Sequence, residues 1–478
     1  MPHTLNEAID GYITKQDVDG LDCSVKYANP VLLIFATLFM MQSATALYEN
    51  ARWTALDNGL QLVVIENHRA PVIHARLAFR VGSDDERDDQ AGLAHYLEHM
   101  MFRGSATLAP GAFDAAMSRI GADHNASTSK TLTTYLATFG SQHLETWLSL
   151  EADRMAAVAL LPSEVESERG VVLTEKLQNF DASPERLWGI ETRRRLQGDM
   201  AARPVIGRQE ILETTTPDDL RAFFDAWYKP NNAAIILSGD VSLDVALPLV
   251  EAYFSKFEPG TLPARRPYQG EFNSNQALYE VVDERVTEDR GSILTWMPST
   301  ERLGYVGEEA LRLRYAAFML SELVSGELRA PLDRALIVDQ GIAKSVSFGL
   351  YFDDDKSGAS ASVDPVPGVD VNEALEALEI ALPKAIEESL DPALLARAKR
   401  RYIRSAIYAN DSVSGPAISF ARLFGQDEPW ERNAEFEQRV SAVSLADIEE
   451  VAAIYFRSDQ SFRTTLRKEA TPLPTLGE

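Results

Sequence analysis

The feature that most constrains this chain is that part of it is written twice. "TTTPDDLRAFFDAWYKPNNAAIIL", from Thr214, returns as "SAVSLADIEEVAAIYFRSDQSFRTTL", from Ser441. At an offset of 228, Thr216 meets Ser444, Asp219 meets Asp447, Leu220 meets Ile448, Trp227 meets Tyr455 and Lys229 meets Arg457. Each copy reads as a Ser/Thr-capped amphipathic helix, a turn and a β-rich strand. Further upstream the match is looser. "LQLVVIENHRAPVIHARLAFRVGS" and "LYEVVDERVTEDRGSILTWMPS" each look like a pair of strands around a turn. A repeat of this length implies two homologous halves. Strands and long helices come in blocks, so the expected class is α+β, each half an antiparallel sheet packed with helices. "GTLPARRPYQGEF", residues 260–272, is rich in Gly, Pro and Arg without an apolar period and reads as a linker. The halves are therefore expected at 47–259 and 273–478.

Residues 1–46 are set apart. Lys26 precedes an apolar run from Val31 to Met41, and Ala44-Thr45-Ala46 has the A-x-A form of a signal-peptidase site. Cleavage after Ala46 is the expectation, with a secreted or periplasmic product and no stable membrane insertion afterwards. A net charge of −26 argues against nucleic acid or an anionic membrane as partner. The one cysteine, Cys23, excludes an internal disulfide and a Cys-rich metal site.

The chain has only seven histidines, and two lie four apart in "AGLAHYLEHMMFRGS". Leu93, Ala94, Leu97, Met100 and Met101 make this an apolar helix. Its i, i+4 spacing stacks His95 and His99 on one face. Two imidazoles so placed can share one Zn²⁺, and Glu98 borders the same face. A carboxylate there can take a proton from a water that the metal acidifies. H-x-x-E-H is the inverzincin signature.

A catalytic zinc usually takes a third protein ligand. "LPSEVESERGVVLTEKLQNF" offers candidates. Ser163 and Glu166 have the form of a capping box after Pro162, so a helix is expected to start there. Glu164, Glu168 and Glu175 then fall near one face. Spacing alone does not choose among them.

Together these residues resemble the pitrilysin/insulinase family of zinc peptidases. The family pattern G-L-A-H-x-L-E-H-M-x-F is matched by "GLAHYLEHMMF", and its E-R-x-V-V-x-x-E by "ERGVVLTE", with Glu175 lying 76 positions after His99. The resemblance implies His95, His99 and Glu175 as Zn²⁺ ligands, Glu98 as general base and Glu168 as a carboxylate that orients the site. "GADHNASTSKTLTTYLATF" is similar to another family element and implies that Asn125 and Ala126 lie on an edge strand beside the metal, where an extended peptide could add. "YKPNNAAIILSGD" resembles a structural strand of the family.

The second half departs from the pattern. Family members that complete the site within one chain carry R-x₆-Y before a Ser-Val strand, and the pair stabilises the developing oxyanion. In "LDRALIVDQGIAKSVSF" those positions hold Ile337 and Lys344, while Arg334 is three residues out of register. The expected function is thus that of a zinc endopeptidase subunit acting on peptides or unfolded polypeptides, with a related chain bearing R-x₆-Y as heterodimer partner. A homodimeric peptidase and a non-catalytic scaffold of the same fold are the alternatives.

Overall fold

The computed structural model describes residues 50–105, 107–265, 278–298, 303–353, 356–455 and 461–468. The expected leader 1–46 and residues 266–272 of the expected linker lie outside them. Leu47–Glu478 forms one compact unit.

The first half builds a six-stranded sheet from β1 (Ala51–Ala55), β2 (Gln61–Glu66), β3 (Val72–Phe79), β4 (Asp123–Thr128), β5 (Thr133–Gly140) and β6 (Ala233–Gly239). Its order is β1-β2-β6-β3-β5-β4. The second half builds a five-stranded sheet from β7 (Tyr279–Val282), β8 (Arg290–Pro298), β9 (Ala343–Asp353), β10 (Lys356–Pro365) and β11 (Ser461–Arg467), in the order β7-β11-β8-β10-β9. The orders agree once β1 is set aside: β2, β6, β3, β5 and β4 answer to β7, β11, β8, β10 and β9. Each sheet is antiparallel except for one parallel pair, β2 with β6 and β7 with β11.

That parallel pair explains the repeat. The two strands read from the start of each half do not pair with each other; the last strand of the half enters between them. The capped helix before it delivers it there. In the first copy, helix Pro217–Trp227 is closed by a reciprocal box in which Asp219 N donates to Thr216 Oγ1 and Thr216 N to Asp219 Oδ2. In the second, helix Leu445–Tyr455 is closed the same way by Ser444 and Asp447. The repeated residues are those that aim the closing strand.

The central strands are buried on both faces. Every residue of β6 is buried, as is all of β3 but its first residue. On one face Leu62, Val64, Leu77, Phe79, Ile235 and Leu237 join the main core beneath the first half's own helices. On the other, Val63, Ile65, Ala78 and Ile236 meet Phe420 and Phe424 from helix Ser414–Gly425 of the second half. The second sheet receives the converse. Helix Pro184–Gln197 of the first half puts Trp188 against Val281, Val286 and Leu466, with Trp188 Nε1 donating to Thr464 Oγ1 at 2.6 Å. Arg195 lies over the Tyr279 ring at 3.8 Å. Each half therefore lends a helix to the other's outer sheet face.

Removing the fully buried Phe420 ring should cost about 3–5 kcal/mol. Because that ring joins the halves, Phe420→Ala should lower the stability of both together. Guanidinium unfolding followed by tryptophan fluorescence and by far-UV circular dichroism should give one coincident, shifted transition; a shift confined to one probe would contradict the shared core.

Candidate metal centre

Helix Leu93–Met100 buries Leu93, Ala94, Tyr96, Leu97 and Met100 and turns its two histidines the other way. Its start is held by a device that spacing did not reveal. Glu86, fully buried, accepts from Gly92 N and Ala94 N at 2.9 Å each, capping the helix from outside. Buried Arg203 ties that loop down by donating to Ser83 O at 2.6 Å and Glu86 O at 3.0 Å. The strand of chain behind it passes so close that a Cβ on Gly207 would lie 2.3 Å from Ala91 O, and Gly92 itself stands at φ +108°. Only glycine fits both places.

Helix Pro162–Lys176 supplies the third side chain. It begins at Pro162, with Leu161 as its cap residue and no side-chain cap bond, so the expected Ser163/Glu166 box is not formed. Glu166 instead accepts from Arg169 Nε at 3.0 Å, because the proline already supplies the first-turn geometry. Tyr96 OH donates to Val165 O and joins the two helices. Of the three candidate glutamates, Glu168 is buried and Glu175 reaches both histidines, while no metal-ligand role falls to Glu164.

Glu175 Oε2 lies 3.6 Å from His95 Nε2 and 3.4 Å from His99 Nε2. Tetrahedral zinc with bonds of about 2.0–2.1 Å separates neighbouring donor atoms by about 3.4 Å. The two separations from Glu175 are thus close to the edge lengths such an ion requires, and all three donors lie within 4.8 Å of one another. Among the described residues they are the one trio of His, Cys or acidic side chains close enough to share an ion.

The electrostatics agree. Burial, followed by the nearby His99, pulls the His95 imidazole down to about 3, so it is neutral and its lone pair is available. Burial also pulls His99 down, but its bond to Glu168 and the charges of Glu168, Glu98 and Glu175 outweigh that and raise it on balance. His99 Nδ1 bonds Glu168 Oε1 at 2.8 Å, which turns Nε2 toward Glu175. Glu168 Oε2 accepts from Arg103 Nε at 2.5 Å. Three carboxylates gather on two imidazoles with Arg103 as the nearby fixed cation. A divalent ion fits that imbalance.

Glu98 is 9% exposed. Burial raises its carboxyl, while the Thr128 hydroxyl bond and His99 pull it back. Thr128 Oγ1 donates to Glu98 Oε2 at 2.5 Å and sits 3.4 Å from Thr133 Oγ1. Thr128 ends β4, the edge strand, which carries Asn125 and Ala126 as expected. Ala126 shares a strand face with Thr128. Asn125 is exposed on the opposite face and folds back so that its Oδ1 accepts from Ala126 N at 2.8 Å.

Ile337 packs among apolar residues of the second core. Lys344 is exposed and paired with Glu288 at 2.6 Å, and Arg334 pairs with Glu388. None of them is brought to the metal centre by any described contact. Sequence reading missed Arg103, Thr128, Glu86 and Arg203. Arg103 stands one turn beyond His99 and could have been read from spacing; Thr128 lies two residues after Ala126 on the same face. Glu86 and Arg203 act through backbone contacts and leave no side-chain period.

A model of the insulinase family, peptidase family M16, matches residues 62–206, and one described as the peptidase M16 inactive domain matches 214–402. An uncharacterized zinc protease of Mycobacterium leprae is 30% identical over 320 residues, 66% of this chain and 69% of that protein. The chain belongs to peptidase family M16. Zinc protease PqqE of Helicobacter pylori is 24% identical over 91% of this chain and 97% of its own length. Probable zinc protease PqqL of Escherichia coli is 29% identical over 61% of this chain, which spans 32% of that relative. In fold, the crystal structure of the periplasmic protease PqqL superposes with a TM-score of 0.73 at 19% identity, over 89% of this chain and 49% of that one.

Removing the hydroxyl that faces Glu98 should leave metal content intact. Thr128→Val should retain zinc in metal analysis but lower kcat by about 10–100-fold, with Thr128→Ser restoring most of it. Glu168→Gln should weaken zinc affinity by about 10–100-fold in a chelator competition. Unchanged values in all three variants would show that these contacts do not support the site.

Proposed function

We propose that this M16 chain is a zinc-dependent endopeptidase subunit that cleaves peptides or unfolded polypeptides. The observation that carries it is the 3.4 and 3.6 Å spacing of Glu175 from the two histidines, with buried Glu98 between them in sequence. Bound zinc would supply a Lewis acid that acidifies water and polarises a carbonyl. The rest is the chain's own work. Glu98 takes the proton of the attacking water and passes it to the leaving amine nitrogen, so water is added across the peptide bond. Glu168 holds the His99 ring in orientation, and Arg103 holds Glu168. The free edge of β4, at Asn125 and Ala126, takes the substrate main chain as an added strand, with Asn125 releasing the Ala126 N–H.

The oxyanion contacts come from a related partner chain bearing R-x₆-Y. Ile337 has no donor and Lys344 is held by Glu288, which favours this over a self-sufficient site. The fold's correspondence to 49% of the PqqL chain supports an assembly of two such units. A secreted or periplasmic location is proposed with it, since the PqqL structure is that of a periplasmic protease.

Purified protein should carry about one zinc per chain. His95→Ala and Glu175→Gln should lose it, and Glu98→Gln should keep it while losing activity. Peptide cleavage should be slow for this chain alone and rise by about 10²-fold or more on adding the R-x₆-Y chain. Full activity of this chain alone would replace the heterodimer by a homodimeric peptidase. Inactivity of the mixture on a broad peptide set would favour the non-catalytic scaffold.

A further inference from the structure

The topological repeat points to a counterpart of the metal cleft in the second half. Helix Glu308–Val324 follows β8 as the histidine helix follows β3. Helix Pro392–Ala409 comes one helix after the β9–β10 hairpin, as the Glu175 helix comes one helix after β4–β5. Each pair of helices is in contact. A cavity of about 130 Å³ lies against the second pair, and its lining is chemically unlike the first.

No histidine lines it. Tyr315 and Tyr402 contribute phenol rings, with Phe436 between them at centroid distances of 6.2 and 5.4 Å. Three guanidiniums, Arg314, Arg422 and Arg432, face one carboxylate, Glu428. Glu428 is already held by Arg314 at 3.0 Å and Arg432 at 2.7 Å. Arg422 is exposed at the mouth and makes no ion pair or side-chain hydrogen bond among the described residues. On the wall, the side-chain amide of Asn433 is buried, the residue only 6% exposed, and its Nδ2 has no hydrogen-bond partner among the described residues. A buried donor left unpaired costs about 1–3 kcal/mol, so an acceptor is wanted there. The phenol hydroxyls also have no hydrogen-bond partner among the described residues. Burial keeps both protonated, Tyr315 pushed up to about 12.

The structure assigns this cavity a ligand: a carboxylate on a small aromatic or apolar body, its oxygens facing Arg422 and Asn433 Nδ2 and its body lying among Tyr315, Tyr402 and Phe436. An excess of positive charge in a chain of net charge −26 is a local exception, and it selects against amines. Aromatic walls favour a planar body, and a guanidinium with an amide N–H suits a carboxylate's acceptor pair. The carboxylate could belong to a free small acid or to the C-terminal end of a peptide. None of the residues lining this cavity belongs to the metal centre.

Isothermal titration calorimetry on the full chain tests it with benzoate, benzylamine, N-acetylphenylalanine and N-acetylphenylalanine amide. Benzoate or N-acetylphenylalanine should bind at one site, at least tenfold tighter than benzylamine or the amide. Benzoate alone binding identifies a free small acid; N-acetylphenylalanine binding as well identifies a peptide end. Arg422→Glu, at an exposed position that leaves the core intact, should weaken binding at least tenfold, and Asn433→Leu should weaken it several-fold. His95→Ala, which removes a metal ligand, should leave it unchanged. No binding of either acid, equal binding of benzylamine, or full binding by Arg422→Glu would overturn the assignment. So would loss of binding in His95→Ala, which would put the acid on the metal.

Discussion

Everything in this fold follows from a sheet whose central strands are apolar on both faces. A strand such as β6, buried at every residue, cannot leave one face to water. The first half's own helices cover the inner face, and a second-half helix carrying Phe420 and Phe424 covers the outer one. The exchange is returned through Trp188. The duplication is therefore more than two similar domains in a row. Each copy's outer sheet face is covered by a helix from the other.

The candidate metal centre has anchors of its own. Its candidate ligands come from two helices tied together by Tyr96 and held at one end by Glu86 and Arg203. Convergent carboxylates repel one another, and holding Glu98, Glu168 and Glu175 near two imidazoles costs energy unless a cation joins them. Arg103 offsets part of it through Glu168. Anchoring the backbone elsewhere lets the site keep an arrangement that the bare side chains would relax away from. Edge strand β4 reaches the same site, because Thr128, at its end, hydrogen-bonds Glu98.

The same scaffold in the second half is lined by tyrosines, arginines and an asparagine around a small cavity. The helices and hairpin that position His95 and Glu175 recur there in order, so the fold fixes where a cleft forms, and the residue types decide what it holds.

The H-x-x-E-H spacing determined by itself that His95 and His99 share a face, because helical periodicity is local. The capped-helix repeat likewise determined that two similar α+β units would form. Glu175 needed the family resemblance, since three glutamates on one helix look alike until the partner helix is in place. Only the tertiary structure decided that Glu168 is buried against His99 and Arg103, that the last strand of each half inserts between the first two, and that helices are exchanged between sheets. Those features depend on residues far apart in the chain meeting in space. Burial of an apolar face says that something must cover it, and nothing in a strand's own residues says which segment will.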